Sequence, residues 1–134
     1  MKRKRRPRLP SLKALRGRAH GLWARIVRAQ HPVCTVCGCA PSAQAHHLLS
    51  KRHFASLRFA PRVGRGVCAG CHIRVHASPA LQVLALAAEE VERLRVLVRE
   101  YQPVVWNREN LNLVRVGLET MLTNLPAGKE VSAA

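Results

Sequence analysis

From Ser11 onward, apolar residues recur at Leu15, Ala19, Leu22 and Ile26, the spacing of one helix face, with Ser11 as cap and Pro32 as stop. Lys13, Arg16, Arg18, Arg25 and Arg28 surround that stripe, so this helix is expected to face a polyanion as well as the core. Between 33 and 77 the helical period vanishes and Cys, His, Gly and Pro become dense. Gln44–Leu49 and Leu57–Phe59 read as short strands there, and Gly64–Gly66 as a turn. A second helix is predicted from Ser78–Pro79, Ser as cap and Pro at the first helical position. Its stripe runs Leu81, Leu84, Ala88, Val91, Leu94, Val98, Tyr101 as far as Pro103. Glu89–Arg93 and Glu92–Arg95 are expected to pair on its exposed side. A third helix after Asn107 should bury Leu111, Val114, Leu118, Met121 and Leu122 and end before Pro126.

These elements predict one mostly helical α+β domain over 11–126. A metal-organised unit at 33–79 is flanked by helical scaffold at 11–31 and 79–125. Residues 1–10, with six Lys/Arg and two Pro, read as a disordered basic arm, and 127–134 as a flexible tail. No internal repeat is present.

Charge changes this picture from a plain scaffold to a binding surface. Of 23 Lys+Arg, 17 precede Glu89, the first acidic residue in the chain. A one-signed field of that extent opposes compaction unless a polyanion neutralises it, and nucleic acid is the partner such a surface fits. No apolar run reaches the roughly 20 residues of a membrane span, and MKRKRRPRLP lacks the apolar segment of a secretory signal. A cytoplasmic setting, in a bacterium or phage-infected cell, is therefore expected. There the five cysteines stay reduced and serve metals better than disulfides.

Cys34-x2-Cys37 and Cys68-x2-Cys71 are two knuckles about 30 residues apart. Each aims two thiolates at one point, and two such turns complete a tetrahedral site for structural zinc. Cys39 is a spare that could replace a knuckle ligand.

The histidines frame the same unit. His72 and His76 stand at i, i+4 on a helix starting at the second knuckle, so their imidazoles share a face. His46 and His47 are adjacent on a strand and must point to opposite sides. One can ligate a metal while the other reaches a substrate; alternatively His46 or His72 substitutes for a cysteine at the zinc. No Asp or Glu occurs in residues 1–88, so two-metal chemistry on carboxylates is closed to this unit and imidazoles must carry any hydrolysis.

The stretch CTVCG…AQAHHLLSKRH…LRFAP…GVCAGCHIRVHASP, from Cys34 to Pro79, resembles the HNH (ββα-metal) endonuclease superfamily. Within it the chain is similar to small phage proteins of the phage lambda recombination protein NinG (Rap) family. The flanks match that plan as well: a basic helix opening on Ser11-Leu12, and a Trp-x4-Leu segment from Trp106 to Leu111. The resemblance spans about residues 11–124, of which 34–79 is specific. It implies that His47 is the general base, and that His46, His72 and His76 ligate a catalytic divalent ion (Mg²⁺, Mn²⁺ or Zn²⁺). The implied substrate is DNA, including branched recombination intermediates. Two departures stand out. The family's central Asn, expected near Arg62 or Val63, has no counterpart before Asn107. His46 and His72 stand where the NinG branch usually has Gly and often Asn.

Lys51, Arg52, Arg58, Arg62, Arg65 and Arg74 lie close in sequence to this site and are expected to hold phosphates rather than read bases. Cutting both strands of a junction would call for a homodimer, which the helices after residue 79 could supply. The competing expectation is a non-catalytic, zinc-stapled DNA- or RNA-binding protein that keeps the same frame.

Overall fold

The computed structural model describes residues 6–126. Residues 1–5 of the basic arm and the expected tail at 127–134 lie outside the described residues. The chain runs α1 (Leu12–Gln30), β1 (Gln44–His47), β2 (Gly64–Val67), α2 (Ala69–Ala77), α3 (Ala80–Leu84), α4 (Ala88–Arg99) and α5 (Arg108–Thr123). Short 3₁₀ turns at Ala55–Leu57 and Pro61–Val63 interrupt the β1–β2 connection.

Ser11 caps α1, its hydroxyl accepting from the Ala14 amide, and Asn107 caps α5 in the same way through Asn110. The two helices pack together across most of the main core. Leu15, Ala19, Trp23, Ile26 and Val27 of α1 meet Leu111 and Leu118 of α5, with Phe59 from the connection. Met121, expected inside, is exposed because α5 turns that face away from α1. Arg108 ties the chain ahead of α1 to α5, donating to the Pro10 carbonyl at 2.7 Å.

β1 and β2 form a two-stranded antiparallel hairpin in which His46 faces Arg65 and His47 faces Gly64. The partner of β1 is thus Gly64–Val67, not Leu57–Phe59, and what reads as a turn is a strand. The reason is close approach. A Cβ on Gly64 would lie 2.5 Å from Val27 Cγ2 and 2.7 Å from Trp23 Cζ2. One on Gly66 would lie 2.5 Å from the His31 carbonyl oxygen and 2.6 Å from Ser42 Oγ. These glycines let α1 and its exit lie directly on the strand, the other use of glycine in a sheet. Leu57 goes instead into a 3₁₀ turn, and Phe59 packs edge-on against Trp106 in the core. Gly66→Ala is expected to destabilise the fold by about 1–3 kcal/mol, since backbone at His31 cannot swing aside. An unchanged unfolding midpoint would contradict this packing.

The long helix expected from Ser78 is two helices. Ser78 ends α2 as its C-cap, and Pro79 begins α3 without a side-chain cap. α3 is held over β1, where the Gln82 amide nitrogen donates to Leu48 O at 3.0 Å. α4 is tied to β2 by an ion pair between Glu90 and Arg65. One straight rod cannot meet both anchors, so the chain turns between them, at residues 85–87. No residue of α3 or α4 is buried, unlike the stripe expected there. Glu92–Arg95 pair at 3.8 Å, while Arg93 donates to the Glu89 carbonyl rather than to its carboxylate. Among the described residues, no helix is long and apolar enough to cross a membrane.

Candidate metal centres

Two ligand clusters flank the hairpin. In the first, the sulfurs of Cys34, Cys37, Cys68 and Cys71 lie within 4.8 Å of one another. The first knuckle closes with Gly38 at φ 68°, its amide donating to the Cys34 carbonyl at 2.9 Å, a conformation that suits a residue without Cβ. The second knuckle is the start of α2: Cys68 is its N-cap and its sulfur accepts from the Cys71 amide at 3.4 Å. Val67 and Val36 pack against the buried Cys34 and Cys71.

The electrostatics of the cluster favour thiolates where backbone amides converge. The amides of Cys39 and Ala40 bring the Cys37 thiol down to about 6. Burial would raise Cys34, but the amides of Cys37, Cys68 and Val36 outweigh it and hold that thiol below its ordinary value. Cys71, beside the Cys68 sulfur and buried, is pushed up to about 12. Four sulfurs this close cannot all ionise without a cation among them. The donor set fits a closed, four-coordinate zinc. Cys39 is exposed and outside the cluster.

In the second cluster, ligand atoms of His46, His72 and His76 likewise lie within 4.8 Å of one another, and the Nε2 atoms of His72 and His76 are 3.1 Å apart. The i, i+4 spacing on α2 stacks the latter pair one turn apart. β1 presents His46 to them, its ring edge-on to both at about 5 Å. Burial, ahead of the mutual effect of the neighbouring imidazoles, holds His46 and His72 below the ordinary histidine value and keeps their lone pairs available. Two glutamines complete the set: Gln82 Oε1 accepts from His46 Nε2, and Gln44 Oε1 from His72 Nδ1.

His47 points the other way, as strand alternation requires. Its ring stacks on Trp23 at 3.9 Å and 13°, with His20 beyond it at 5.8 Å. Trp23 is itself fixed, its indole N–H donating to Ala60 O at 3.0 Å. His47 Nε2 donates to the Arg58 carbonyl at 2.9 Å, so the lone pair resides on Nδ1. Burial, with Lys51, His20 and the Arg58 guanidinium adding to it, brings this imidazole down to about 4. One open cleft of about 690 Å³ is lined by His47, the three clustered imidazoles, His20, Gln82, Lys51 and Arg52.

Of the other basic residues singled out in the sequence, Arg58 is half-buried with its guanidinium over Phe59. Arg62 and Arg65 line a separate cleft of about 370 Å³ beside Glu90 and Arg93, and Arg65 is engaged by Glu90. Arg74 is exposed on α2 away from both clefts. Four residues of the site escaped the sequence reading: Gln44, Gln82, His20 and Trp23. Gln44 was accessible in principle, standing two positions before His46 on the same strand face. Gln82 carries no local signal.

The hairpin, the following helix and the two clusters define a mostly helical α+β domain with two ligand sets that could each hold a metal ion. Compared with protein-family models, with curated proteins and with solved structures, the chain finds no match.

Proposed function

We propose that this protein is a metal-dependent DNA endonuclease of the HNH kind, hydrolysing phosphodiester bonds, with branched recombination intermediates as the substrate class that its similarity to the NinG family favours. The observation that carries the reading is the division of labour across β1. Three convergent imidazoles lie on one face and a neutral, immobilised imidazole on the other, and both line one cleft.

His47 acts as general base. The Arg58 carbonyl occupies Nε2 and leaves Nδ1 to take a proton from the attacking water, while the Trp23 face fixes the ring plane. The water oxygen bonds to phosphorus, the P–O3′ bond breaks, and the leaving 3′ oxygen gains a proton from solvent. A divalent ion held by His46, His72 and His76 would supply positive charge against the scissile phosphate and its leaving oxygen. Lys51 and Arg52, at the rim of the cleft, hold flanking phosphates. In the family a central Asn pins the loop that orients the base. Here two indoles bond that loop, Trp23 to Ala60 and Trp106 to Ala55 O at 2.9 Å, and serve the same end.

The test is incubation of the zinc-loaded chain with supercoiled plasmid and with a four-way junction, with Mn²⁺, Mg²⁺ or Zn²⁺ and in metal-depleted buffer. Metal-dependent nicking is expected, and it should be absent in His76→Ala. Tight binding without cutting under every metal would favour the second reading, a zinc-stapled DNA or RNA grip. That reading draws on the uncompensated charge ahead of Glu89 and on the low basicity of His47. Under either reading, Lys51→Ala and Arg52→Ala should each reduce the slope of log affinity against log salt by about one, without changing sequence preference. An unchanged slope would remove these residues from the phosphate track.

A further inference from the structure

We propose that Gln82 and Gln44 are the positioning residues of the imidazole cluster, fixing His46 to coordinate through Nδ1 and His72 through Nε2. This rests on the reading of His46, His72 and His76 as ligands of one divalent ion.

A neutral imidazole has one N–H and one lone pair, and an amide oxygen can only accept. The ring nitrogen facing each glutamine oxygen therefore carries the hydrogen, and the opposite nitrogen carries the lone pair. For His72, Nδ1 faces Gln44 Oε1, so Nε2 is the donor atom. That atom lies 3.1 Å from His76 Nε2, a spacing at which two lone pairs converge on a single ion. For His46, Nε2 faces Gln82 Oε1, which leaves Nδ1.

The orientation of the Gln82 amide is not free. Its nitrogen donates to the Leu48 carbonyl at 3.0 Å, so its oxygen must turn to His46. Leu48 follows His46 by two residues, so the β1 segment that carries the ligand also holds the residue that orients it. Gln44 precedes His46 by two on the same face and reaches across to α2. The break between α2 and α3 at Ser78–Pro79 precedes Gln82, whose side chain reaches back to His46 and Leu48.

Outer partners of metal-bound histidines are usually carboxylates or backbone carbonyls, and their loss typically costs about 10–100-fold in metal affinity. No carboxylate precedes Glu89 in this chain, and the two amides take that role with no added charge. A carboxylate at 82 would still accept the His46 N–H but could not donate to the Leu48 carbonyl, so the amide alone satisfies both partners.

The experiment uses the full chain with zinc retained in the four-cysteine site and Co²⁺ titrated as the probe. The d–d absorption band reports the imidazole site, and His76→Ala gives the background. Gln82→Leu and Gln44→Leu are each expected to weaken Co²⁺ binding about 10–100-fold in a chain that still folds and keeps its zinc content. Gln82→Glu keeps an acceptor for His46 Nε2 but loses the donor to Leu48 O, so it should bind Co²⁺ more tightly than Gln82→Leu, with the band shape of the parent chain. Unaltered affinity in Gln82→Leu overturns the role given to Gln82, and a reshaped band in Gln82→Glu overturns it in favour of direct ligation. Should Gln82→Leu fail to fold, Gln82→Glu and Gln44→Leu decide the matter by the same criteria. Absence in the parent chain of any band that His76→Ala removes overturns the metal reading of the cluster itself.

Discussion

Replacing His47 by Ala is expected to lower DNA cleavage by about 10²–10⁴-fold, the range a general base contributes, while binding and zinc content persist. The loss follows from geometry: Nδ1 is the one nitrogen of this ring not engaged by backbone, and no carboxylate precedes Glu89 to replace it. His47 also stacks on a core tryptophan, so His47→Gln is the companion variant; it keeps polarity and much of the volume while removing the base. Cleavage at the parent rate in both variants would end the assignment. The same ring has a stability signature. It is brought from the ordinary 6.5 to about 4 by burial first, so the unfolded chain binds a proton more readily than the folded one between those values. Its contribution is therefore fully present above pH 6.5 and is lost as pH falls toward 4. His47→Gln, which takes up no proton, should lose less stability over that interval in thermal melts followed against pH. An equal loss would place the acid sensitivity elsewhere.

Stripping the four-cysteine site is expected to unfold the hairpin and α2 together. Structural zinc in small domains contributes roughly 10–16 kcal/mol of apparent binding free energy, more than a short segment recovers from its own apolar burial. Around this site that burial is slight: Cys34, Cys71 and Val67 form the buried cluster, with Val36 and Cys68 against it. Both knuckles are built into neighbouring elements, Cys68 as the cap of α2 and Thr35 through its amide on Gly66 O at 3.0 Å, so loss of the ion propagates to β2. Chelation should remove amide exchange protection over residues 34–77, while the α1–α5 pair, which has its own apolar core, retains it. Zn²⁺ should restore protection, and its uptake should release protons, chiefly from Cys71, whose thiol is pushed up to about 12. Protection that survives chelation, or a Cys71→Ser chain with parent stability, would show that the cluster does not hold the fold.

Much of this protein is legible in its sequence because the relevant physics is local. Capping chemistry and apolar period locate α1 and α5 to within a residue or two, through Ser11, Asn107 and the Leu15–Ala19–Ile26 stripe. Ligand spacing places Cys34, Cys37, Cys68 and Cys71 in one cluster, because a Cys-x2-Cys turn points its sulfurs wherever it stands. The i, i+4 rule joins His72 to His76, and strand alternation separates His46 from His47.

What the sequence could not supply depends on which surfaces meet. Gly64–Gly66 has the composition of a turn; only the approach of Trp23, Val27 and the His31 carbonyl makes a strand without side chains the better solution. One apolar stripe from Leu81 to Tyr101 satisfies a single helix locally. The competing anchors of Gln82 on β1 and Glu90 on Arg65 bend it into two. Arg62 stands near the site in number yet faces another cleft, and Arg65, opposite His46 in the hairpin, is taken up by Glu90, while His20 and Gln82, distant in number, line the site. Periodicity and ligand spacing act over one or two turns of chain and are written in the sequence. The tautomer of a histidine, the platform beneath it and the cation beside it are fixed by groups tens of residues away, and only the packed chain brings them together.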